Sequence, residues 1–422
     1  MAGELAEERA GETPDDVLHG DDAEDCIACH GPTATLAVGG MSEARALSYF
    51  FSTTDGRFTA NTDATHFGDW PDIDCTACHD VPDDHPASMP SLALFDSRTG
   101  TRTTMDNASQ LCGQCHGDLR FADTDHLTYN AWSASKHAET QADVASELAE
   151  ERADQTPEDV VHGDDPENCI ACHAPTAVLA NGKMTETEAL QYFFITEGGT
   201  FTANTAPAHT AEWPSVSCTA CHDPMAPGSP AYFNSTTKTY EPMADSGQLC
   251  GQCHGSLRFP DTDHLSYDIL AGTGGVGVPD QQTMPGVTCT DCHMFTSGVD
   301  GSNAAMFHGH TFAVTVDEAG GGRVSACTNC HEKIGVTDAD ATIVGWKADF
   351  DSLDAEAQGK VAAAAAAMDG VEDDALQAKL DEAQFNLAYA ESDESGGCHN
   401  HLYLTALLQD AKDRAKEILD SL

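Results

Sequence analysis

Basic residues are scarce in this chain, and their scarcity limits which partners it can bind. The sequence has 19 Lys and Arg residues against 70 Asp and Glu residues, which gives a formal net charge of −51. A surface this acidic repels phosphate groups, so it argues against nucleic acid and anionic membranes as partners. The acidic residues are spread over the whole length. They therefore favour a general adaptation to a saline habitat over one acidic face for a basic redox partner.

Cysteine is almost absent outside one motif, because only Cys398 of the 17 cysteines lies outside eight copies of Cys-x-x-Cys-His. This motif predicts eight covalently bound c-type haems, each held by two thioether bonds, with the adjacent His as proximal iron ligand. The expected attachment residues are Cys26, Cys29, Cys75, Cys78, Cys112, Cys115, Cys169, Cys172, Cys218, Cys221, Cys250, Cys253, Cys289, Cys292, Cys327 and Cys330. The expected proximal ligands are His30, His79, His116, His173, His222, His254, His293 and His331.

Zinc binding and disulfide formation are the competing interpretations of these cysteines. A zinc array would not require a His directly after the second cysteine at every site, yet all eight motifs have it. Redox-active dithiols would occur once or twice in such a chain. A disulfide across only two intervening residues would close a strained loop. The uniform motif therefore favours haem.

Long apolar runs are also missing. No stretch is long enough to cross a membrane, and residues 1–20 contain no apolar core of an export signal. Haem is attached to such motifs outside the cytoplasm. We therefore expect a periplasmic or extracellular protein, in a mature form from which the signal has been removed.

The chain contains a tandem duplication. The segment that begins ELAEERA at Glu4 recurs from Glu147, and the match continues through the first three haem motifs of each copy. This predicts two three-haem repeats, at residues 1–140 and 141–272, of a kind that can stack in a line. A Gly-rich segment, 271–280, ends the second repeat. The remaining residues, 273–422, should form a two-haem domain with a C-terminal helical hairpin or small bundle.

Twelve His residues lie outside the motifs, and some of them recur between the repeats. The recurring residues pair as His19 with His162, His66 with His209, and His126 with His264. We interpret these six as distal iron ligands, one for each haem of the repeats. For the last two haems the choices are His308 or His310, and His399 or His401. Spacing alone does not show which His reaches which haem, and His85 and His137 have no counterpart in the other repeat.

The predicted fold is mainly α-helical with extensive loops, because haem contacts would replace much of the ordinary core. Little sheet is expected. The segment KVAAAAAAM favours helix and should stop at Gly370. Two further helices are indicated by apolar residues at three- and four-residue spacing. These residues are Leu376, Leu380, Ala383, Leu387 and Ala390 in the first, and Leu404, Leu407, Ala411, Ala415, Ile418 and Leu422 in the second.

From about Cys289 to its end, the sequence resembles the multihaem cytochromes related to ammonia-forming nitrite reductase and octahaem hydroxylamine oxidoreductase. The similar stretches are CTDCHMF, HTFAV, CTNCH and FNLAYAESDESGGCHNHLYLTALLQDA. The resemblance implies His399, with Gly397 and Asn400 matching the family's Gly-x-His-Asn segment, and His310 as distal ligands. The overall pattern also looks like that of cytochromes that build extracellular conductive filaments.

One departure from that family bears on catalysis. Its nitrite reductases usually bind the catalytic haem through Cys-x-x-Cys-Lys, whereas all eight motifs here end in His. A haem with His on both faces has no open position for a substrate, so no catalytic residue is predicted. We expect an electron carrier rather than an enzyme. Its partners would be redox donor and acceptor proteins, extracellular acceptors, or other copies of itself in a head-to-tail filament. The alternative is a multihaem oxidoreductase that acts on a small nitrogen or sulfur compound at one open haem.

Overall fold

The structure is a computed structural model of the 422-residue chain. It describes residues 10–13, 26–33, 35, 42–43, 53–58, 73–80, 91–122, 124, 126–140, 154–162, 169–182, 184–193, 196–201, 215–226, 228–295, 309–317, 323–331, 339–393 and 395–422. Contacts within these residues form two compact units. The first comprises Met1–Ala138, Ser217–Thr219 and Gly298–Thr311, and the second comprises Glu139–Val216, Ala220–Ser297 and Phe312–Leu422.

Helices dominate the described residues, and most of them are short. They are α1 (Cys26–His30), α2 (Cys75–Cys78), α3 (Ala108–Cys112), α4 (Thr128–Ser133), α5 (Pro157–His162), α6 (Cys169–His173), α7 (Glu186–Phe193), α8 (Cys218–Cys221), α9 (Ser246–Cys250), α10 (Ser266–Ala271), α11 (Cys289–His293), α12 (Ala326–His331), α13 (Ala339–Ala367), α14 (Asp374–Glu391) and α15 (His401–Ser421). Two 3₁₀ helices lie at Lys136–Ala138 and Pro175–Gly182. No helix in this described part is long and apolar enough to cross a membrane.

Strands are short and pair only with near neighbours in sequence. They are β1 (Thr53–Thr54), β2 (Arg57–Phe58), β3 (His79–Asp80), β4 (Ser91–Asp96), β5 (Thr101–Thr104), β6 (Thr196–Glu197), β7 (Thr200–Phe201), β8 (Ala231–Asn234), β9 (Thr239–Pro242), β10 (Thr315–Asp317) and β11 (Arg323–Ser325). β3, β4 and β5 form a three-stranded antiparallel sheet, and the others form two-stranded antiparallel pairs. The predicted helical, loop-rich fold with little sheet is confirmed.

The eight cysteine motifs adopt two local structures. Six of them form their own short helix, namely α1, α2, α6, α8, α11 and α12. The third motif of each repeat instead starts at the last residue of a helix, at Cys112 of α3 and at Cys250 of α9. An Asx residue begins both of these helices, because the side chains of Asn107 and Asp245 accept a backbone N–H of the first turn.

In both copies of the third motif, the glycine after the first cysteine lies close to a tyrosine that follows the motif. The backbone N–H of Tyr129 donates to the carbonyl of His116 at 2.6 Å, and Tyr267 donates to His254 at 2.8 Å. A Cβ on Gly113 would lie 2.6 Å from the ring of Tyr129, and a Cβ on Gly251 would lie 2.8 Å from the ring of Tyr267. The glycine in Cys-Gly-Gln-Cys-His is therefore needed to seat the tyrosine against the motif.

Helices α13, α14 and α15 pack together around the larger apolar core of the second unit. The chain turns between α13 and α14 at Gly370, which has φ +76°, as the sequence predicts. The predicted apolar stripes are buried, with Leu404, Leu407, Ala411, Ala415 and Ile418 all at zero exposure. Two predicted residues differ: Leu376 is only partly buried, and Leu422 follows the end of α15 and is 55% exposed.

The Gly-rich segment 271–280 lies against this helical bundle. The side chain of Asn386, which is fully buried, accepts from the N–H of Val276 at 2.8 Å and donates to its carbonyl at 2.9 Å. The hydroxyl of Tyr403 accepts from the N–H of Gly275 at 2.7 Å, and Tyr389 donates to the carbonyl of Thr273 at 2.8 Å. Three buried side chains thus satisfy the backbone of a segment that has no secondary structure of its own.

Replacing Asn386 with Ala should weaken the bundle, because it leaves the two Val276 backbone groups without their buried partner. We expect a loss of about 1–3 kcal/mol in the free energy of unfolding, measured by denaturant titration of the haem-loaded protein followed by circular dichroism. Gln384→Ala, at an exposed position of the same helix, is the control and should leave the midpoint unchanged. Equal midpoints for both variants would contradict this role of Asn386.

Candidate haem attachment and ligand sites

Haem attachment requires cysteines that are not already joined in disulfides. None of the cysteines whose side chains are described is in a disulfide, and Cys398 is among them. The side chains of Cys26 and Cys330 fall outside the described part of the chain. Burial and the negative charge of Asp393 raise the pKa of the half-buried Cys398 thiol, so it stays protonated and unreactive at neutral pH.

Cysteines of different motifs lie close together in the first unit. The thiol of Cys112, the first cysteine of the third motif, is hydrogen-bonded to that of Cys218, the first cysteine of the fifth motif. The thiol of Cys115 is hydrogen-bonded to that of Cys29, the second cysteine of the first motif. The third motif therefore has two others as neighbours, one at each of its cysteines.

The same relation recurs in the second unit. Cys250, the first cysteine of the sixth motif, is hydrogen-bonded to Cys289 of the seventh. Cys253 is hydrogen-bonded to Cys172, the second cysteine of the fourth motif. The sixth motif therefore has cysteines of the fourth and seventh motifs as neighbours, in the same way that the third motif has cysteines of the first and fifth. Equivalent cysteines make equivalent contacts in both copies.

Two motif histidines face a second His at a spacing that suits one iron. The ring centroids of His173 and His264 are 6.5 Å apart, and those of His293 and His399 are 6.1 Å apart. Metal–imidazole bonds are about 2 Å long, so two imidazoles on opposite faces of one iron have centroids roughly 6 Å apart. The residues present therefore fit a haem iron between each pair.

In the first unit, histidine rings are near enough to affect one another's charge. Burial lowers the pKa of His30, and the nearby charges of His126 and His116 lower it further. Burial also lowers the pKa of His116, with smaller contributions from His126 and His310. A lowered pKa keeps an imidazole neutral at neutral pH, which is the form that binds a metal. His126 is the counterpart of His264, and each lies near the first motif of its own repeat.

Hydrogen bonds at Nδ1 orient both rings of the pair formed by His293 and His399. Nδ1 of His293 lies 2.9 Å from the carbonyl oxygen of Phe312, and Nδ1 of His399 lies 2.5 Å from Oδ1 of Asp393. With Nδ1–H donated to these acceptors, the lone pair of Nε2 is available to a metal. Phe312 has φ +56°, which is uncommon for a residue with a side chain.

The carboxylate of Asp393 is fixed by the loop that joins α14 to α15. Its side chain has no exposed surface, and it accepts from Oγ of Ser395 at 2.6 Å and from the N–H of Gly397 at 3.2 Å. Burial opposes ionisation of Asp393, but the hydrogen bonds from His399 and Ser395 outweigh it and lower its pKa. Gly397 has φ +93°, and a Cβ there would lie 2.9 Å from Cβ of Phe350, so only glycine fits this turn.

His401 has a different environment from His399. Its ring is stacked on Trp346, with centroids 5.2 Å apart and planes 8° apart, and its Nδ1 is buried without a hydrogen-bond partner in the described part of the chain. The structure thus places His399 beside a motif His and His401 against Trp346. His310 lies near His116, while His308 lies outside the described residues.

Several predicted ligands cannot be placed, because they fall outside the described residues. These are His19, His66 and His209, together with His85, which the sequence leaves without a role. His162 is the last residue of α5, but nothing of its side chain is described.

Sequence reasoning missed an arginine that recurs beside the first motif of each repeat. The guanidinium of Arg120 donates to the carbonyl of Ala28 at 3.0 Å and to Asp96 at 2.8 Å. Arg258 instead contacts the hydroxyl of Tyr232, which donates to the carbonyl of Ala171 at 3.1 Å. The recurrence of Leu-Arg-Phe in both copies of a chain so poor in basic residues was a signal that could have identified them.

Comparison with known proteins identifies the family. The cytochrome c552 family matches residues 4–150 and 280–419, together about two thirds of the chain, and the family of cytochrome c554 and c-prime matches residues 111–192. No curated protein matches.

Solved structures show more distant similarity. The outer cell wall cytochrome OcwA is 20% identical, with a TM-score of 0.46 over 84% of this chain and 79% of its own. An undecaheme cytochrome from the S-layer of Carboxydothermus ferrireducens is 17% identical, with a TM-score of 0.43 over 88% of this chain and 53% of its own. The family match over most of the chain, together with the motif histidines, shows that this chain belongs to the cytochrome c552 family and is a multihaem c-type cytochrome that transfers electrons through covalently bound haem.

Proposed function

We propose that the protein is an extracytoplasmic electron conduit with eight c-type haems, each ligated by His on both faces. The observation that carries the proposal is the pairing of a motif His with a second His across roughly 6 Å, for His173 with His264 and for His293 with His399. When bound, each haem iron accepts and releases one electron at a time. The chain contributes the two imidazoles that hold the iron and exclude other ligands.

Two His ligands suit a carrier better than a catalyst. An iron held by imidazole nitrogen on both faces stays six-coordinate in both oxidation states, so little must reorganise when an electron arrives or leaves. The same ligation leaves no position for a small nitrogen or sulfur compound. The remaining distal ligands in this proposal are those given by the repeats, His19, His66, His126, His162 and His209, together with His310.

The contacts between motifs support a path that differs from sequence order. In the first unit, sulfur contacts join the attachment points of the first and third haems, and of the third and fifth. In the second unit they join those of the fourth and sixth haems, and of the sixth and seventh. Attachment points in contact are what a chain of electron carriers needs, since transfer rates fall steeply with distance. The third and sixth haems would be the relay points.

The partners in this proposal are a redox donor and an acceptor outside the cytoplasm, where haem is attached to motifs of this kind. A protein acceptor would meet a strongly acidic surface, so a basic partner would associate fastest at low salt. If the acidity is instead an adaptation to a saline habitat, it predicts nothing about the charge of the partner.

Haem content and ligand binding test the proposal together. The purified protein should carry the mass of eight haems, and its reduced spectrum should be low-spin and unchanged by carbon monoxide or nitrite. A carbon monoxide complex at one haem in eight would contradict the conduit and favour the oxidoreductase. A mass that corresponds to fewer haems would contradict the count of eight.

Variants at the two histidines of the Cys-His-Asn-His segment test the ligand assignment. His399→Ala should leave one haem in eight five-coordinate, seen as a new high-spin band and a carbon monoxide complex, because His293 would lose its facing ring. His401→Ala removes the ring that stacks on Trp346 and should leave all haems low-spin. A high-spin haem from His401→Ala, with none from His399→Ala, would reverse the assignment.

We extend this proposal to self-association into a head-to-tail filament. The net charge of the chain predicts how this self-association depends on salt. Copies that each carry a net charge of −51 repel one another, and the Debye length falls from about 10 Å at 0.1 M salt to about 3 Å at 1 M. Sedimentation velocity should therefore show a single chain at low salt and longer assemblies at high salt. A single chain at every salt concentration would contradict the filament.

A further inference from the structure

We infer that Asp393 is a positioning residue that sets the seventh haem at a lower reduction potential than its ligand set alone would give. The inference rests on the proposed ligation of that haem by His293 and His399. It concerns the hydrogen bond from Nδ1 of His399 to the buried carboxylate of Asp393, at 2.5 Å.

The two ligands of this haem have acceptors of different charge. His293 faces the neutral carbonyl of Phe312, at 2.9 Å, whereas His399 faces a carboxylate with no exposed surface. A hydrogen bond to a buried anion is shorter and stronger than one to a neutral carbonyl. Donation of Nδ1–H to that anion makes Nε2 a more basic ligand, which raises the affinity of His399 for the ferric ion above that for the ferrous ion.

The loop is built to keep this charge in place. Ser395 donates its hydroxyl to Asp393 and at the same time accepts from the backbone N–H groups of Cys398 and His399, at 2.8 and 3.0 Å. The N–H of Gly397 supplies a further donor to the same carboxylate. Asp393 therefore has donors on both oxygens, and the backbone of its ligand is fixed by the same serine. A side chain that only filled space would not need these partners.

Reduction in this scheme is a single-electron step. A haem held by His293 and His399 would gain one electron, supplied through mediators in a titration, and His399 would remain its ligand. The proton remains on Nδ1, shared with Asp393. The carboxylate makes the gain of an electron less favourable, because it adds a negative charge near an iron that becomes less positive.

Asp393→Asn tests the inference in the haem-loaded protein. The amide is close in shape but neutral, so one of the eight one-electron components should move to higher potential while all haems stay low-spin. We expect about a tenfold change in the ferric–ferrous equilibrium, which corresponds to about 60 mV for a one-electron couple. Asp393→Glu restores the charge and should return the titration toward that of the wild type.

Ser395→Ala is the matched control, because it loosens the same loop and leaves the carboxylate. It should give no upward shift. An upward shift as large as that of Asp393→Asn would overturn the inference, since the loop rather than the charge would then set the potential. So would an Asp393→Asn titration that superimposes on the wild type, or a five-coordinate haem in that variant.

A measurement on the wild type keeps the inference testable if Asp393→Asn does not fold. Near-infrared magnetic circular dichroism of the oxidised protein should show one haem in eight with its charge-transfer band displaced toward that of imidazolate ligation. Eight coincident bands would overturn the role of Asp393. A carbon monoxide complex of the wild-type protein would instead refute the ligation proposed above, so the two failures are distinguishable.

Discussion

Ligation of one iron by two imidazoles, as proposed above, is the interaction on which the rest of this molecule would depend, because it would join segments that are far apart in sequence. His293 is at the end of α11, and His399 follows α14 more than a hundred residues later. His173 and His264 are similarly separated. Metal binding of this kind contributes directly to folding free energy, since no preformed site exists in the unfolded chain. Short helices that are marginal alone become stable once their ends carry ligands to a shared group.

Ordinary apolar packing is concentrated at the C-terminus. The bundle of α13, α14 and α15 holds the larger described apolar core, and a smaller one surrounds α6, with Ile170 and Leu190 at its centre. Salt bridges between the bundle helices, such as Lys412 with Glu356 and Lys379 with Glu417, are exposed and add little, because water and salt screen them. The bundle is therefore stabilised mainly by apolar burial, whereas the short helices outside it have the smaller core around α6.

Sequence reasoning was strongest where a pattern repeats. The recurrence of His126 at His264 identified two candidate ligands, and the three- and four-residue spacing identified the buried faces of α14 and α15. It could not say that His264 faces His173, because that pairing depends on loop paths that no periodicity encodes. Asp393 was missed for another reason: it is one of 70 acidic residues, and nothing in the sequence separates a buried carboxylate from an exposed one. The acceptor for His293 is a backbone carbonyl, which no side-chain identity can reveal.

The neighbouring cysteines show where the C-terminal part is equivalent to a repeat. In each repeat the first cysteine of the third motif has a cysteine from later in the sequence as its neighbour, Cys218 in one case and Cys289 in the other. The motifs it meets are similar, Cys-Thr-Ala-Cys-His and Cys-Thr-Asp-Cys-His. Cys289 is therefore to the third motif of the second repeat what Cys218 is to the third motif of the first. The chain beyond the seventh motif has a different role, because its bundle binds the segment 271–280 through Asn386 and Tyr403 and supplies His399. His399 and Asp393 share the short loop between two helices of this bundle, and Ser395 fixes both of them there. In the proposed ligation, the seventh haem would therefore have a buried carboxylate bonded to one of its two ligands, and a single charge could set its potential.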